Sequence, residues 1–347
     1  MALNINSLQK GVASFSSGNN LSVTISAVTL AKSIIVWDYL SSSASPNDSS
    51  LRVEFSSTTQ ITFTLPGAIG TQTCQVRWQV IEFTSGSDVS VQHLTLTGIT
   101  DGSTQSITAV DLANTFVLTS CTQGGTAWGG DDIAGADLTA TTTITHRVDT
   151  GTVGFVNHQV VDMGDASVQK VSTLGSTGTT INKTISAVVL GRSFSVGQSE
   201  MSDSGNFTNL ATSELTSTTN LQHVRTGTDS RDFYDYVVEL PVGWITSFGT
   251  GTISSGNASA GITISVSDTA NAFVLIGSAS QLPSGRTAET GDNTADAFVN
   301  SNMTSTTNVN VTRYSSSTDV TIIKIWAIEE VGAVSGHPWF YNMKWGR

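Results

Sequence analysis

Thr24-Ile-Ser-Ala-Val-Thr-Leu-Ala-Lys-Ser33 returns 160 residues later as Thr184-Ile-Ser-Ala-Val-Val-Leu-Gly-Arg-Ser193. Leu8-Gln-Lys10 and Val168-Gln-Lys170 keep the same offset, and Asp111-Leu-Ala-Asn-Thr-Phe-Val-Leu118 returns as Asp268-Thr-Ala-Asn-Ala-Phe-Val-Leu275. A unit of about 160 residues is therefore duplicated, and self-similarity at a fixed period is the signature of a repeat architecture. Each unit divides again. Phe55-Ser-Ser-Thr-Thr-Gln-Ile61 has counterparts in Leu138-Thr-Ala-Thr-Thr-Thr-Ile144, Leu215-Thr-Ser-Thr-Thr-Asn-Leu221 and Met303-Thr-Ser-Thr-Thr-Asn-Val309. An apolar stretch ending in an acid closes each quarter: Val80-Ile-Glu82, Val160-Val-Asp162, Val237-Val-Glu239 and Ala327-Ile-Glu329.

These quarters read as β-modules. Leu21-Ser-Val-Thr-Ile-Ser-Ala-Val28 and Leu94-Thr-Leu-Thr-Gly-Ile99 alternate polar and apolar residues with the period of two of half-buried strands. Threonine suits a strand because its branched side chain fits the pleat. Five to seven short strands with turn signals between them predict an all-β chain of four tandem small β-sandwich modules, jelly-roll-like and arranged as a duplicated pair. The divisions fall at 1–90, 91–166, 167–248 and 249–331, followed by a tail over 332–347. The Thr-rich motif reads as one strand, with Phe55, Leu138, Leu215 and Met303 six residues before Ile61, Ile144, Leu221 and Val309 on a shared core face.

Composition narrows the function classes. The chain has 347 residues, a net charge of −12 and 12 % charged residues, against about 25 % in an ordinary domain. Ser and Thr make up about 29 % of it, and there are 32 glycines. This balance predicts no nucleic-acid partner. No stretch approaches the roughly 18 apolar residues of a membrane span, and no secretory signal opens the chain. Cys74 and Cys121 are too few for a disulfide scaffold and read as two half-buried thiols on strands.

Residues that could carry chemistry were weighed against their place in the repeat. His146 and His223 occupy the position of Phe63 and Val311, which argues for packing, and His93, His158 and His337 have no partner at ligand spacing. Glu82, Asp162, Glu239 and Glu329 recur once per module, so they read as structural acids that pair with a basic residue such as Arg147, Arg225 or Arg313 or cap a strand end. Ser199 has only half of a nucleophile elbow, because Met201 replaces the second glycine. Neither catalytic nor cofactor-binding residues emerge. Asp131, Asp132 and Asp137, with Asp292 and Asp296 in the matching loop, are weak calcium candidates, since clustered loop oxygens suit a hard cation. The tail His337-Pro-Trp-Phe-Tyr-Asn-Met-Lys-Trp-Gly-Arg347 concentrates aromatics, a methionine and cations. Such residues are enriched at interface cores, which assigns partner binding to Trp339, Phe340, Tyr341, Met343, Trp345 and Arg347.

The succession Gln-Lys, Ser-Ala-Val, Lys/Arg-Ser, Leu-Thr-Ser-Thr-Thr-Asn and Val-Val-Glu, from Leu8 to about Glu330, resembles a repeat of structural and fibre-like proteins of tailed bacteriophages. That resemblance implies a virion component made in the host cytoplasm, assembling with other virion proteins and with copies of itself. The position of the component, as head decoration, head fibre or tail fibre and adaptor, stays open at this level. An alternative reading is a host-attachment adhesin, in which Trp37, Trp128 and Tyr39 stack on glycan rings.

Overall fold

The computed structural model describes residues 3–43, 45, 49–70, 72–125, 129–198, 210–228, 230–278, 286–287, 298–314 and 320–331. Within them the chain is all-β. Its strands are β1 (Ile5–Ser14), β2 (Asn20–Thr24), β3 (Ser33–Ser41), β4 (Arg52–Ser57), β5 (Gln60–Thr64) and β6 (Cys74–Phe83), then β7 (Val89–Ile99), β8 (Thr104–Ser106), β9 (Thr115–Thr122), β10 (Gly135–Ala140), β11 (Thr143–Arg147) and β12 (Val153–Met163). There follow β13 (Ser167–Ser176), β14 (Thr180–Thr184), β15 (Ser193–Gly197), β16 (Thr212–Ser217), β17 (Asn220–Val224) and β18 (Arg231–Glu239). The last are β19 (Trp244–Ile253), β20 (Ser259–Thr263), β21 (Ala272–Ile276), β22 (Arg286–Thr287), β23 (Asn300–Ser305), β24 (Asn308–Thr312) and β25 (Thr321–Glu330). Two single 3-10 turns, Leu30–Lys32 and Leu190–Arg192, precede β3 and β15.

These strands form eight small antiparallel sheets. In one sheet of each successive strand set the last strand lies between the first and the third: β1-β6-β3, β7-β12-β9, β13-β18-β15 and β19-β25-β21. The companion sheets are β2-β5-β4, β10-β11-β8, β14-β17-β16 and β20-β24-β23. The sets begin at Ile5, Val89, Ser167 and Trp244. The expected division at 248 therefore falls inside β19. Gly249 and Gly251 mimic a turn signal there, but their reason is contact: a Cβ at either would come within 2.5 or 2.4 Å of the Ile262 side chain.

The Thr-rich motif is a hairpin, not a single strand. Phe55 lies opposite Ile61, Leu138 opposite Ile144, Leu215 opposite Leu221 and Met303 opposite Val309, so the six-residue spacing crosses a turn. The Thr-Thr step forms the exposed tip rather than an outer strand face. Its two carbonyls accept the loop that leads to the third strand. Ile25 and Val28 donate to Thr59 and Thr58 (both 2.9 Å), Ile107 and Val110 to Thr142 and Thr141 (3.0 and 2.9 Å), Ile185 and Val188 to Thr219 and Thr218 (3.0 and 2.8 Å), and Ile264 and Val266 to Thr307 and Thr306 (3.1 and 3.0 Å). Serine closes three tips from inside, since Thr59, Thr219 and Thr307 N–H groups bond to Ser57, Ser217 and Ser305 Oγ.

Two kinds of core result. Between the sheets of the first set lie Ile35, Tyr39, Val53, Ile61, Phe63, Val76 and Val80. The opposite face of the same strand sends Ile34 and Val36 into a second cluster, which also takes Phe116, Leu118, Phe194, Val196, Phe273 and Ile328 from the other three sets. Being covered on both faces explains why Ile34–Trp37 of β3 and Phe116–Leu118 of β9 are consecutive apolar residues instead of alternating ones. Cys74 and Cys121 are free and fully buried, and burial pushes both thiols up to about 12. Urea unfolding should separate core from tip: Leu221→Ala costs about 2–5 kcal/mol, whereas Thr218→Ala, which keeps the bonding carbonyl, stays within about 0.5 kcal/mol.

Candidate functional site: the seams between strand sets

The four closing acids are fasteners. Glu82 accepts hydrogen bonds from Thr29 N (2.8 Å), Asn6 Nδ2 (2.8 Å) and Ser7 Oγ (3.1 Å). Asp162 accepts from Asp111 N (3.2 Å), and Glu239 accepts from Val189 N (3.1 Å) while pairing with Arg192 at 2.7 Å. Glu329 takes the N–H groups of Ser267 and Asp268, both at 2.7 Å. All four thus hold the loop before the third strand. The expected arginine partners are elsewhere. Arg147 pairs with Asp137 (2.9 Å), Arg225 donates to Gly178 and Ser176 carbonyls (3.1 and 2.7 Å), and Arg313 to the Asn257 carbonyl and Thr321 Oγ1 (2.8 and 2.9 Å). The reason is distance: these arginines end or follow the fifth-strand position, and a strand of about ten residues at ~3.3 Å each separates them from the acids.

His146 and His223 are buried, and so is His158. His146 stacks on His158 with centroids 5.3 Å apart, and His223 stacks on Phe233 at 4.5 Å and faces Asp235 Oδ2 at 3.1 Å. Burial, then the neighbouring His146, pushes His158 down to about 3. His93 meets the Leu30 carbonyl at 3.1 Å.

Asp137 stands apart from the other calcium candidates, held by both Arg147 and Lys170 at 2.9 and 2.8 Å. Asp131 accepts from Gln123 Nε2 (3.3 Å), and Asp132 accepts from Gly129 N (2.5 Å) and is raised to about 7 by burial. Tyr39 is not a glycan platform. Its ring is fully buried against Phe298 at 4.9 Å, and its hydroxyl donates to the Ser49 carbonyl at 2.6 Å. Trp37 is half-buried on β3. Trp128, Asp292, Asp296, Ser199, His337 and the tail residues Trp339, Phe340, Tyr341, Met343, Trp345 and Arg347 lie outside the described residues.

The polar side chains that span long sequence distances gather at seams between one strand set and the set before it, and between the first set and the last. Gln159 of β12 faces the free edge of β3, accepting from Ile35 N (2.7 Å) and donating to Ile35 O (2.8 Å). Gln79 of β6 does the same to Val274 of β21, at 2.9 and 2.7 Å. Tyr236 of β18 holds the same register place and uses its hydroxyl, accepting from Leu138 N (2.9 Å) and donating to Ala136 O (3.1 Å). In β25 that place belongs to Trp326, wholly buried. A second bond repeats at every seam, from the first strand of the Thr hairpin to the third-strand side of its neighbour: Val53 N to Ser120 Oγ (2.9 Å), Ala136 N to Gln198 Oε1 (3.3 Å), Ser213 N to Gly277 O (2.9 Å) and Ser301 N to Asp38 Oδ1 (3.0 Å).

No protein-family model, curated protein or solved structure matches this chain. Among the described residues no helix is long and apolar enough to cross a membrane.

Asp38 is the one ionisable acceptor among the four in that second series. It is raised to about 7, chiefly by burial, against the opposing pull of the Ser301 hydroxyl and N–H and of Arg77. The folded chain therefore keeps a proton that the unfolded chain loses near pH 4, so this group's contribution falls as pH rises from about 4 to about 7 and is level above. Asp38→Asn keeps an acceptor for Ser301. Relative to that variant, the wild type should lose a few kcal/mol across this window, at about 1.4 kcal/mol per pH unit, in melts recorded from pH 4 to 8. Gln159→Ala strands the N–H and C=O of Ile35, and chemical denaturation should show a loss of about 2–4 kcal/mol.

Proposed function

We propose that the chain is a non-enzymatic structural protein of a virion surface, a head decoration, head fibre or tail fibre and adaptor of a tailed bacteriophage, acting through protein–protein assembly with other virion proteins and with its own copies. The scaffold reads as four tandem β-sandwich modules, a duplicated pair, joined in a closed circuit. What carries the reading is the repeated seam. The first strand of the Thr hairpin is bonded to the third-strand side of its neighbour at the same position four times, so polar groups that could have formed a reactive cleft hold neighbouring sheets together instead. The closing acids support it in the same way, each engaged with backbone N–H groups.

Assembly is assigned to the aromatic tail, from the composition of Trp339, Phe340, Tyr341, Met343, Trp345 and Arg347. The adhesin reading loses one of its three aromatic platforms with the burial of Tyr39. Quantitative mass spectrometry of purified particles should find this chain at a fixed copy number, with cryo-EM locating it on head or tail; its absence from the particle would end the proposal. Deleting residues 337–347 should abolish incorporation while leaving the melting temperature within a few degrees of the full chain, and an unfolded truncation would refute the docking role.

A further inference from the structure

Two core positions recur in every strand set, one two residues past the last apolar residue of the Thr hairpin and one four residues before the closing acid. The first set places Phe63 and Trp78 there and the fourth Val311 and Ile325, all buried in apolar cores. The third sets His223 3.1 Å from Asp235, so an imidazolium there would meet a carboxylate. The second sets His146 of β11 against His158 of β12, both buried, with their rings stacked at 5.3 Å and 18° between planes. Of the four places, only this one puts imidazole against imidazole. His146 Nδ1 lies 3.0 Å from the Ser103 carbonyl, which can only accept, so Nδ1 carries the proton of the neutral ring. His158 Nδ1 bonds to Thr119 Oγ1 at 3.0 Å. Both Nε2 atoms are buried without a hydrogen-bond partner. A neutral ring tolerates this, but an imidazolium carries N–H on both nitrogens and would bury a donor and a charge with no acceptor.

The titratable side chains on the elements packed around the pair do not relieve this. Cys121 of β9 lies two residues from Thr119 on the same face, and burial keeps its thiol protonated. Arg147 follows His146, so it leaves the opposite face of β11, where it pairs with Asp137 of β10. Asp101 accepts from Val148 N (3.5 Å), Asp132 from Gly129 N and Asp162 from Asp111 N, while His93 of β7 meets the Leu30 carbonyl. Burial holds both stacked rings below the ordinary imidazole value of about 6.5. As pH falls below that value, an opened second set binds protons that the closed one refuses, and the closed form loses stability. We propose that the His146–His158 pair is an acid-triggered latch, whose protonation opens the second strand set between its two sheets while the sets with apolar pairs stay closed. The effect reaches both seams of that set, because β12 carries Gln159 next to His158, and β9 and β10 carry Ser120 and Ala136. Acid thus breaks the circuit of strand sets at one defined place. The latch goes beyond the assembly reading and does not depend on it.

Hydrogen–deuterium exchange of the full chain tests it, read by mass spectrometry at about pH 7.5 and about pH 5 and corrected for the intrinsic exchange rate. Peptides of β7 to β12 should lose protection at least about tenfold in acid and regain it on return to neutral pH, while those of β19 to β25 keep theirs. This local readout also separates the latch from Asp38, which lies in the first set. His146→Val combined with His158→Ile installs the pair of the fourth set and should abolish the acid response. Where that variant does not fold, carbon-13 NMR of the wild-type histidines decides: both rings should stay neutral while the second set is closed and titrate only as it opens. Protection lost equally in all sets, or not at all in the second, would overturn the proposal. So would an acid response that survives the double replacement, or rings that titrate while the second set stays protected.

Discussion

A three-stranded sheet has two free edges, and in this protein the third-strand edge is buried. The N–H and C=O groups of Ile35 in β3 and Val274 in β21 have no strand beside them and no water to turn to. Leaving such a group unpaired costs about 1–3 kcal/mol, so an arrangement that buries several of them must supply partners from outside the sheet. A primary amide suits this need, because one side chain presents both an acceptor and a donor at the spacing of a backbone peptide. Gln159 and Gln79 use both. The seams are thus the solution to an edge problem that other β-proteins solve by barrel closure, charge or a covering helix.

The same constraint explains the chemistry of the recurring motifs. The tip of the Thr hairpin must offer two carbonyls to the loop that turns into the third strand, and a tight Thr-Thr step projects both. Ile25 and Val28, with their counterparts, bring the N–H groups while inserting their side chains beneath the hairpin. Gln9 and Gln169 then pin that loop to the first strand through both groups of Ser26 and Ser186, each with bonds of 2.7 and 3.1 Å. The closing acids hold it from the other side. A loop fastened at three points fixes where the third strand starts, and hence where its edge meets the neighbouring set.

The all-β class, the duplication and the buried alternating residues were legible in the sequence because each leaves a local pattern. The hairpin was misread because its cross-strand pairs are six residues apart, an even number that a single strand satisfies equally well; only the register of Phe55 on Ile61 separates the two. The structural role of the closing acids was legible, but their partners were hidden for another reason. A carboxylate bonded to backbone N–H groups leaves no complementary residue to find, whereas the arginines after the motif were visible but a strand length away. The seams left least trace of all. Gln79, Gln159, Tyr236 and Trp326 share one register position but not one chemistry, and Asp38, Ser120, Gln198 and Gly277 do the same with four acceptors. Repeat searching finds identity, and here function at a position is kept while identity is not.

The seam between the first and last sets differs from the other three in one physical respect. Consecutive sets are joined by connections of only 3–5 residues, but this seam unites residues more than 190 positions apart. The equivalent glutamine bonds span 124 residues at the first–second seam and 195 here, which is less than one doubling of length and under about 0.6 kcal/mol of chain entropy. Beyond the repeated series the seam is held by Arg77 to Asn302, Asn300 to Gln75 at 2.9 Å, Trp244 Nε1 to the Leu3 carbonyl at 2.9 Å and Ile5 N to Glu330 at 2.5 Å. A joint without a short tether brings together residues far apart in sequence, which places this closure among the last contacts to form as the chain folds.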